Sequence, residues 1–311
     1  MGLAQNISEA EPTLSVIIPV YNDWKMLDGC LRALSLETGT ALEIIVVDDG
    51  SDESCPEFIR QWCNHLPLKI LEQEHKGISE ARNSGIRACK GLLLLFIDAD
   101  CRVQANCLSK VTTAATRFPQ ENYFQLRLIG DPSVLTGRAE HLRLTVLQQQ
   151  SLQSDGHIRY ANTAGFAVRR LTSDVHIPLF DPKAPRGEDT LLLVNLLRAG
   201  EIPLFTPEAA VQHLVPRSLF KCFRKDISSG YLQSPAYAVI DATGIRIRMS
   251  NRARFRMIIS LWYAAKSYSG GKAAWLVLLA RQLLERATLF LCRWLGIVPK
   301  IRDVSHPNPA I

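Results

Sequence analysis

The sequence lacks several features that define common protein classes. Its eight cysteines form no C-x-x-C pair and no His/Cys spacing typical of zinc, so we interpret them as buried or half-buried thiols in a reducing compartment. The first residues do not show the basic segment followed by an apolar run that is typical of a secretory signal. Asn6 stands where the myristoylation pattern requires Ser or Thr. No uncharged apolar run approaches the ~18 residues that cross a bilayer. These absences predict a cytoplasmic protein.

The balance of charge reverses at Pro216, and acidic residues are scarce after it. Residues 1–216 carry 20 basic and 26 acidic side chains, whereas the remainder carries 16 basic and 4 acidic ones. Such asymmetry is typical of a chain in which one part meets an anionic surface. With 311 residues and 47% hydrophobic composition, the chain can bury one large core or two modest ones.

The first hundred residues alternate between apolar runs and helical patterns. Apolar runs at residues 14–20, 42–47, 68–71 and 92–97 predict strands, of which the first two are expected to be buried in a parallel sheet. Between them we expect one helix capped by Asp23 and stopped by Gly39, and another over residues 79–90 capped by Ser79. This alternation predicts an α/β fold with a doubly wound sheet, in which ligands bind beyond the carboxyl ends of the strands.

Two carboxylates follow the most apolar of these runs. Asp98 and Asp100 are two residues apart, and on an extended backbone their side chains point the same way. Paired carboxylates repel unless a cation or a shared proton compensates, and oxygen ligands suit Mg²⁺ or Mn²⁺. The alternative is that one aspartate caps the next helix and the other is solvated.

Two further segments lie near the predicted strand ends. Taken alone, D-D-G-S at 48–51 is an ordinary turn, whereas the glycine loop at Gly77 favours an anionic ligand nearby. Asp48 and Asp49 end a strand, and Gly50 permits a sharp turn after them. Gly77 opens a helix whose first turn presents free N–H groups and a positive dipole end. Arg82 lies near that helix start against the dipole preference, so we expect another group to hold it; the alternative is a solvated arginine.

Taken together, six segments resemble glycosyltransferase family 2. They are P-V-Y-N at 19–22, D-D-G-S at 48–51, G-I-S-E-A-R-N-S-G at 77–85, D-A-D at 98–100, A-G-F-A-V-R-R at 164–170 and G-E-D-T-L-L-L-V-N-L-L-R-A-G at 187–200. Their order and spacing match the family as well as their letters. The resemblance implies a GT-A fold, with a mixed but mostly parallel sheet, over a catalytic domain at residues 13–217, after a flexible N-terminus at 1–12.

The resemblance also implies roles for particular residues. Asp98 and Asp100 would hold Mg²⁺ or Mn²⁺ and the diphosphate, with His213 as a further ligand. Asp189 would be the general base of an inverting transfer, with Glu188 shaping its surroundings. The nucleotide-sugar, most commonly a uridine diphosphate sugar, would contact Pro19, Tyr21, Asn22, Asp48, Asp49, Ser51, Gly77, Arg82, Asp98, Ala99 and Gly165, with Asp48 recognising the base.

Alternatives remain for several of these roles. From spacing alone, Glu188 and Asp189 are better explained as acids that cap a helix start, and His213 is equally well explained as an ordinary surface histidine. Residues 181–187 are either a loop that closes over the donor or a connector. The sequence departs from the family at Cys101, where an acidic residue often follows D-x-D, and at Gly165, where asparagine is usual. The departure at Cys101 concerns the metal site, and the departure at Gly165 concerns the contacts with the acceptor.

The last region, residues 218–311, is basic and helical. From 217 to 256 there are nine basic and two acidic residues. Farther on, Arg281, Gln282, Glu285, Arg286 and Arg293 share one helix face, opposite a wide apolar face with Trp275, Leu279, Leu283, Phe290 and Trp294. This pattern is typical of an interfacial helix on an anionic membrane. Packing on the catalytic domain or on a second subunit is the alternative.

Other readings of the whole chain are less well supported. A sugar-phosphate nucleotidyltransferase needs a G-x-G-x-R signature after the first strand, where this sequence has P-V-Y-N-D-W. No Q-x-x-R-W motif follows Asp189, so we expect transfer of one sugar rather than processive synthesis, onto a glycan or lipid-linked acceptor. An inactive relative that binds a membrane or partner would have lost Asp98, Asp100 or Asp189. The basic residues form no nucleic-acid-binding module, and a homo-oligomer remains open.

Overall fold

A computed structural model describes residues 13–37, 42–170, 179–182, 187–215, 218–232, 240, 251–267 and 270–297. Some of the sequence predictions fall outside these ranges. They are the flexible N-terminus at 1–12, the helix stop at Gly39, residues 183–186 of the predicted loop, residues 217, 233–239 and 241–250 of the basic segment, and residues 298–311 of the C-terminal region.

One mixed sheet of eight strands organises the first two thirds of the chain. The strands are β1 (Leu14–Val20), β2 (Leu42–Asp48), β3 (Leu68–Glu72), β4 (Leu93–Phe96), β5 (Cys101–Val103), β6 (Tyr123–Gly130), β7 (Phe166–Arg169) and β8 (Leu204–His213). Their order is β3-β2-β1-β4-β7-β6-β8-β5. The first four of these are mutually parallel, while β7 runs antiparallel to both of its neighbours. The four predicted strands are therefore confirmed.

Helices cover both faces of this sheet. They are α1 (Trp24–Leu34), α2 (Glu57–Arg60), α3 (Ile78–Ala88), α4 (Cys107–Arg117), α5 (Leu135–Ser151) and α6 (Glu188–Arg198). Alternate residues of β1 serve the two faces: Val16 and Ile18 join the core under α1 and α4, whereas Ile17 joins the core under α3 and α6. This is the doubly wound arrangement that the sequence predicts.

Two helix caps differ from the prediction. α3 begins at Ile78 with Gly77 as its N-cap, so Ser79 lies inside the first turn and is buried rather than capping. Gly77 has φ = +89°, a conformation that glycine adopts without strain, which explains why the helix starts there. Asp23 is the N-cap residue of α1, but its side chain makes no capping hydrogen bond.

Among the described residues, three further helices with given bounds form a C-terminal layer: α7 (Leu219–Leu232), α8 (Asn251–Ala265) and α9 (Gly271–Trp294). Met257 and Leu261 of α8 and Leu278 of α9 pack with Leu142 and Val146 of α5 in one apolar cluster. The layer thus rests on the sheet domain through α5. Across the described parts of the chain, no helix has both the length and the apolarity to span a membrane.

Candidate active site

A cavity of 830 Å³ lies at the carboxyl ends of β1, β2 and β4 and extends to the C-terminal layer. This is where a doubly wound sheet binds its ligands. Most of the predicted site residues line it, namely Pro19, Tyr21, Asp49, Gly77, Asp98, Ala99, Asp100, Glu188, Asp189 and His213. The predicted residues that do not line it are Asn22, Asp48, Ser51, Arg82 and Gly165.

At one end of the cavity, Asp49 fixes the loop that precedes α3. Its carboxylate accepts hydrogen bonds from the backbone N–H groups of Lys76, at 3.0 Å, and Gly77, at 2.9 Å. It also lies 2.9 Å from Nδ1 of His75, whose ring is 4.2 Å from the ring of Tyr21. The two rings and the fixed loop make an aromatic wall that suits a planar base. Sequence analysis missed His75.

The neighbouring predicted residues hold the loops around this wall. Oδ1 of Asp48 accepts hydrogen bonds from the backbone N–H of Ser51, at 3.0 Å, and from its hydroxyl, at 2.6 Å. The side chain of Asn22 exchanges two hydrogen bonds of 2.8 Å with Asp52. Gly165 is buried where a Cβ atom would lie 2.8 Å from Leu128, so close packing explains the glycine. These residues shape the loops and the core behind the cavity.

Arg82 differs from the prediction that it lines the nucleotide pocket. It is 1% exposed, and its guanidinium donates to Asp98 at 2.7 Å and to Glu188 at 2.9 Å. Although burial opposes the charge, the two carboxylates raise the pKa of Arg82 above its ordinary value. The sequence predicts that another group holds this arginine, and the two carboxylates are that group. Through them Arg82 joins the end of β4 to the start of α6.

Asp189 lies in the first turn of α6 and faces the cavity. Its side chain does not cap the helix, because Oδ1 accepts hydrogen bonds from the hydroxyl of Thr163, at 2.6 Å, and from its backbone N–H, at 3.2 Å. Burial and the charge of Glu188 raise the pKa of Asp189 to about 7, against the opposing effects of Arg82 and Thr163. A carboxylate with a pKa near neutrality is suited to accept a proton.

Asp98 and Asp100 both line the cavity, but not because the backbone is extended. Residues 98–101 form a turn in which the N–H of Cys101 donates to the carbonyl of Asp98 at 3.0 Å. The turn directs Asp98 toward Arg82 and Asp100 toward His213, whose Nε2 lies 3.5 Å from Oδ2. The two carboxylates therefore serve the same cavity from different directions.

His213 ends β8 and sits between two carboxylates. Nε2 faces Asp100, and Nδ1 lies 3.5 Å from Oε1 of Glu140, which sequence analysis missed. Although burial opposes it, the charges of Asp100 and Glu140 raise the pKa of His213 to about 9. The same histidine holds the pKa of Asp100 below its ordinary value, although burial would raise it.

Carboxylates and histidines line the cavity, so its fit to a cation depends on how these donors are grouped. In the ranges that the structure describes, no group of three or more His, Cys, Asp or Glu side chains is arranged to hold a metal ion. However, Mg²⁺ and Mn²⁺ need only one or two protein carboxylates when a diphosphate supplies further oxygens. Asp100 and His213 fit such a shared site, with Nζ of Lys225 3.8 Å from Asp100 as a competing charge.

The C-terminal layer closes the far side of the cavity with its polar face. Arg281, Gln282, Glu285 and Arg286 of α9 line the cavity, although their pattern predicts a face turned to lipid headgroups or solvent. Arg281 also makes two hydrogen bonds of 2.9 Å with Asp226 of α7. The predicted alternative of packing on the sheet domain is thus correct for this face. The opposite, apolar face remains exposed at Leu283, Phe290 and Trp294.

Comparison with solved structures identifies the fold. The mannosyltransferase PcManGT from Pyrobaculum calidifontis, solved with GDP-Man and Mn²⁺, aligns with a TM-score of 0.56 and 17% identity over 95% of this chain and 84% of that one. Residues 1–349 of S. aureus TarS, solved with UDP-GlcNAc, align with a TM-score of 0.52 and 14% identity over 91% and 92% of the two chains. The predicted GT-A fold is confirmed.

Curated relatives share only a segment with this chain. The uncharacterized glycosyltransferase YibD of Escherichia coli is 38% identical over 103 residues, which are 33% of this chain and 30% of that protein. Glycosyltransferase AglE of Haloferax volcanii is 42% identical over 94 residues, 29% of this chain and 31% of that protein. The matches thus span about a third of the relatives' length. The profile described as Glycosyl transferase family 2 matches residues 15–173, just over half of the chain, and the protein therefore belongs to glycosyltransferase family 2.

Proposed function

We propose that the protein transfers one sugar from a nucleoside diphosphate sugar to an acceptor hydroxyl, with inversion at the anomeric carbon. The observation that carries this proposal is that Asp189, with a pKa of about 7, shares one cavity with Asp98 and Asp100. Such a site combines a proton acceptor with carboxylates that suit a cation and a diphosphate. The family membership supports the same reaction class.

The donor would lie along the strand ends. Its base would contact Tyr21, with Pro19 and the loop held by Asp49 beside it. The loop held by Asp48 would border the same end of the cavity. We propose a uridine diphosphate sugar, as in the TarS complex, although PcManGT was solved with a guanosine diphosphate sugar. A panel of donors distinguishes the two bases.

A divalent cation would be held by Asp100 and His213, with Asp98 nearby. Mg²⁺ or Mn²⁺, the latter present in the PcManGT structure, would supply positive charge for the diphosphate when bound. The chain's own residues supply the rest of the site. Arg82 keeps Asp98 and Glu188 in place, and Thr163 holds the carboxylate of Asp189 toward the cavity.

The proposed chemistry is a single displacement. The acceptor oxygen forms a bond to the anomeric carbon while the bond from that carbon to the diphosphate oxygen breaks, and the nucleoside diphosphate leaves with the electron pair. Asp189 takes the proton of the acceptor hydroxyl as the new bond forms. A base in this position contributes ~10²–10⁴-fold to the rate.

Release of nucleoside diphosphate from a panel of donors, with and without Mn²⁺, tests this function. For the correct donor we expect release by the native chain and a ~10²–10⁴-fold lower rate for Asp189→Asn, with donor binding retained. Asp155→Asn, an exposed aspartate outside the cavity, is the matched control. Equal rates for native and Asp189→Asn protein would remove Asp189 as the base. No release from any donor would favour an inactive relative.

We also propose that the C-terminal layer binds an anionic membrane surface. Among the described residues, large exposed apolar side chains are concentrated there: Leu219, Phe220, Ile227, Phe255, Ile259, Tyr263, Leu276, Leu283, Phe290, Leu291, Trp294, Leu295 and Ile297. Residues 217–311, which include this layer, hold 16 of the 36 basic residues, and basic clusters attract anionic lipids. A membrane-bound transferase fits a lipid-linked or envelope glycan acceptor in polysaccharide synthesis.

A further inference from the structure

A buried carboxylate that was not among the predicted site residues lines the cavity beside His213. Glu140 lies on α5, is 3% exposed, and accepts hydrogen bonds from Arg143 at 3.0 Å and 2.6 Å. Its Oε1 is also 3.5 Å from Nδ1 of His213. Burying a carboxylate is costly unless several partners satisfy it. The proposed transfer reaction assigns no role to Glu140.

The backbone of His213 is already fixed on both sides. β8 pairs with β5 with Cys101 opposite His213, and with β6 with Gly130 opposite His213. The remaining freedom is rotation of the imidazole ring about its side-chain bonds. A group that binds one ring nitrogen therefore determines where the other nitrogen points.

We infer that Glu140 is a positioning residue that orients the imidazole of His213 for a divalent cation beside Asp100. This inference rests on the proposed function, in which His213 is a cation ligand. An Nδ1–H group directed at Glu140 leaves the lone pair of Nε2 on the side of Asp100, 3.5 Å away. Carboxylates that bind the second nitrogen of a metal-ligating histidine fix its tautomer and ring orientation, and their loss typically weakens metal binding ~10–100-fold.

Glu140 also connects this position to the C-terminal layer. Nη1 of Arg281, from α9, lies 3.9 Å from Oε2 of Glu140, and the same arginine binds Asp226 of α7. The carboxylate is thus held by its own helix through Arg143 and approached from α9. Because these contacts surround it, Glu140 has little freedom to turn away from His213.

Binding of Mn²⁺ to the full chain, measured by electron paramagnetic resonance with and without uridine diphosphate, tests the inference. We expect Glu140→Gln to raise the Mn²⁺ dissociation constant ~10–100-fold. In a His213→Ala background, which is itself weakened, the same substitution should have no further effect. Glu121→Gln is the matched control, because Glu121 pairs with His157, 3.3 Å away and outside the cavity.

Each outcome separates this inference from the function on which it rests. Native affinity in Glu140→Gln would overturn the positioning role, and so would an equal loss in the native and His213→Ala backgrounds, since a through-space charge effect does not need the imidazole. Unchanged Mn²⁺ affinity in His213→Ala would instead refute the proposed cation ligand. Should Glu140→Gln fail to fold, Glu140→Asp keeps the charge but shortens the side chain. It allows the same comparison between the native and His213→Ala backgrounds, with a smaller expected loss of Mn²⁺ affinity.

Discussion

The sheet domain and the C-terminal layer differ in how much large apolar surface they expose. In the sheet domain, β1 is buried along its whole length, and exposed large apolar side chains are few: Leu36, Phe58, Leu92 and Leu152 among the described residues. In the C-terminal layer, α9 turns Arg281 and Gln282 toward the cavity and leaves Leu283 and Phe290 in contact with solvent.

This difference has a physical consequence. A domain that folds in water buries its apolar side chains, and contiguous exposed apolar surface marks a site for a membrane or a partner. The charged face of α9 completes a cavity that the acidic sheet domain leaves open on one side. The layer therefore has two different faces, and the role that we propose for each is open to a separate test.

The largest expected effect concerns the buried charge of the sheet domain. Arg82→Met removes the guanidinium that pairs with both Asp98 and Glu188, at a position that is 1% exposed. Removing one member of a buried charge cluster destabilises a protein by ~3–5 kcal/mol. We expect a loss of this size in the free energy of unfolding, measured by urea denaturation.

The matching substitution in the C-terminal layer should have little effect. Arg293 is exposed near the end of α9, so Arg293→Met should change the free energy of unfolding by no more than ~0.5 kcal/mol. Equal effects of the two substitutions would show that the contrast between buried and exposed charge in the two regions is wrong.

The next largest effect concerns the exposed apolar face of the C-terminal layer. Leu283, Phe290 and Trp294 are 67%, 66% and 74% exposed. Each such side chain contributes ~1.5–3 kcal/mol when fully buried, so replacing all three with serine should weaken binding to phosphatidylglycerol-containing vesicles by ~10²-fold even if they insert only in part. Vesicle sedimentation measures this loss.

A matched variant in the sheet domain controls for surface apolarity. Leu36, Phe58 and Leu92 are also exposed, and their joint replacement by serine should leave vesicle binding unchanged. Equal loss in the two triple variants, or no binding by the native chain, would contradict the membrane proposal. A native dimer that dissociates in the C-terminal variant, without vesicle binding, would assign the apolar face to a second copy of the chain.

Local sequence patterns predicted those helices and strands whose bounds are determined by residues within a few positions of each other. The run at residues 14–20 predicts β1 with its observed bounds, and the acids at 188 and 189 mark the start of α6. Both follow from burial and helix-start chemistry within a few residues. The strand and helix ends that border the cavity were therefore predictable from the sequence.

Contacts between distant segments were not predictable in the same way. Arg82 binds Glu188 across 106 positions of the chain, and Glu140 meets His213 through the packing of α5 on the sheet. Periodicity gave the polar face of α9 correctly but not the direction in which it points. That direction depends on Asp226 of α7 and on the cavity, neither of which leaves a signal near residue 281.

The smallest expected effect concerns the proposed base. Thr163→Val removes the hydroxyl that donates to Asp189 at 2.6 Å, and this hydrogen bond favours the ionised carboxylate. The pKa of Asp189, raised to about 7 in the native protein, should therefore rise further, by about one pH unit. Since the base must be ionised, activity increases as pH rises through that pKa. The acid limb of the kcat profile should accordingly move to higher pH.

A comparison of substitutions at the same position separates this effect from damage to the fold. Thr163→Ser keeps the donating hydroxyl, so its acid limb should stay at the native pH, whereas Thr163→Val should lose more activity at pH 6.5 than at pH 8.5. A uniform loss at all pH values would mean that Thr163 only supports the backbone near β7. A substitution in the C-terminal layer provides the remaining comparison. Ser229→Ala removes a hydroxyl of α7 that lines the same cavity on its other wall. Because no contact joins Ser229 to Asp189 among the described residues, this variant should leave the acid limb at the native pH.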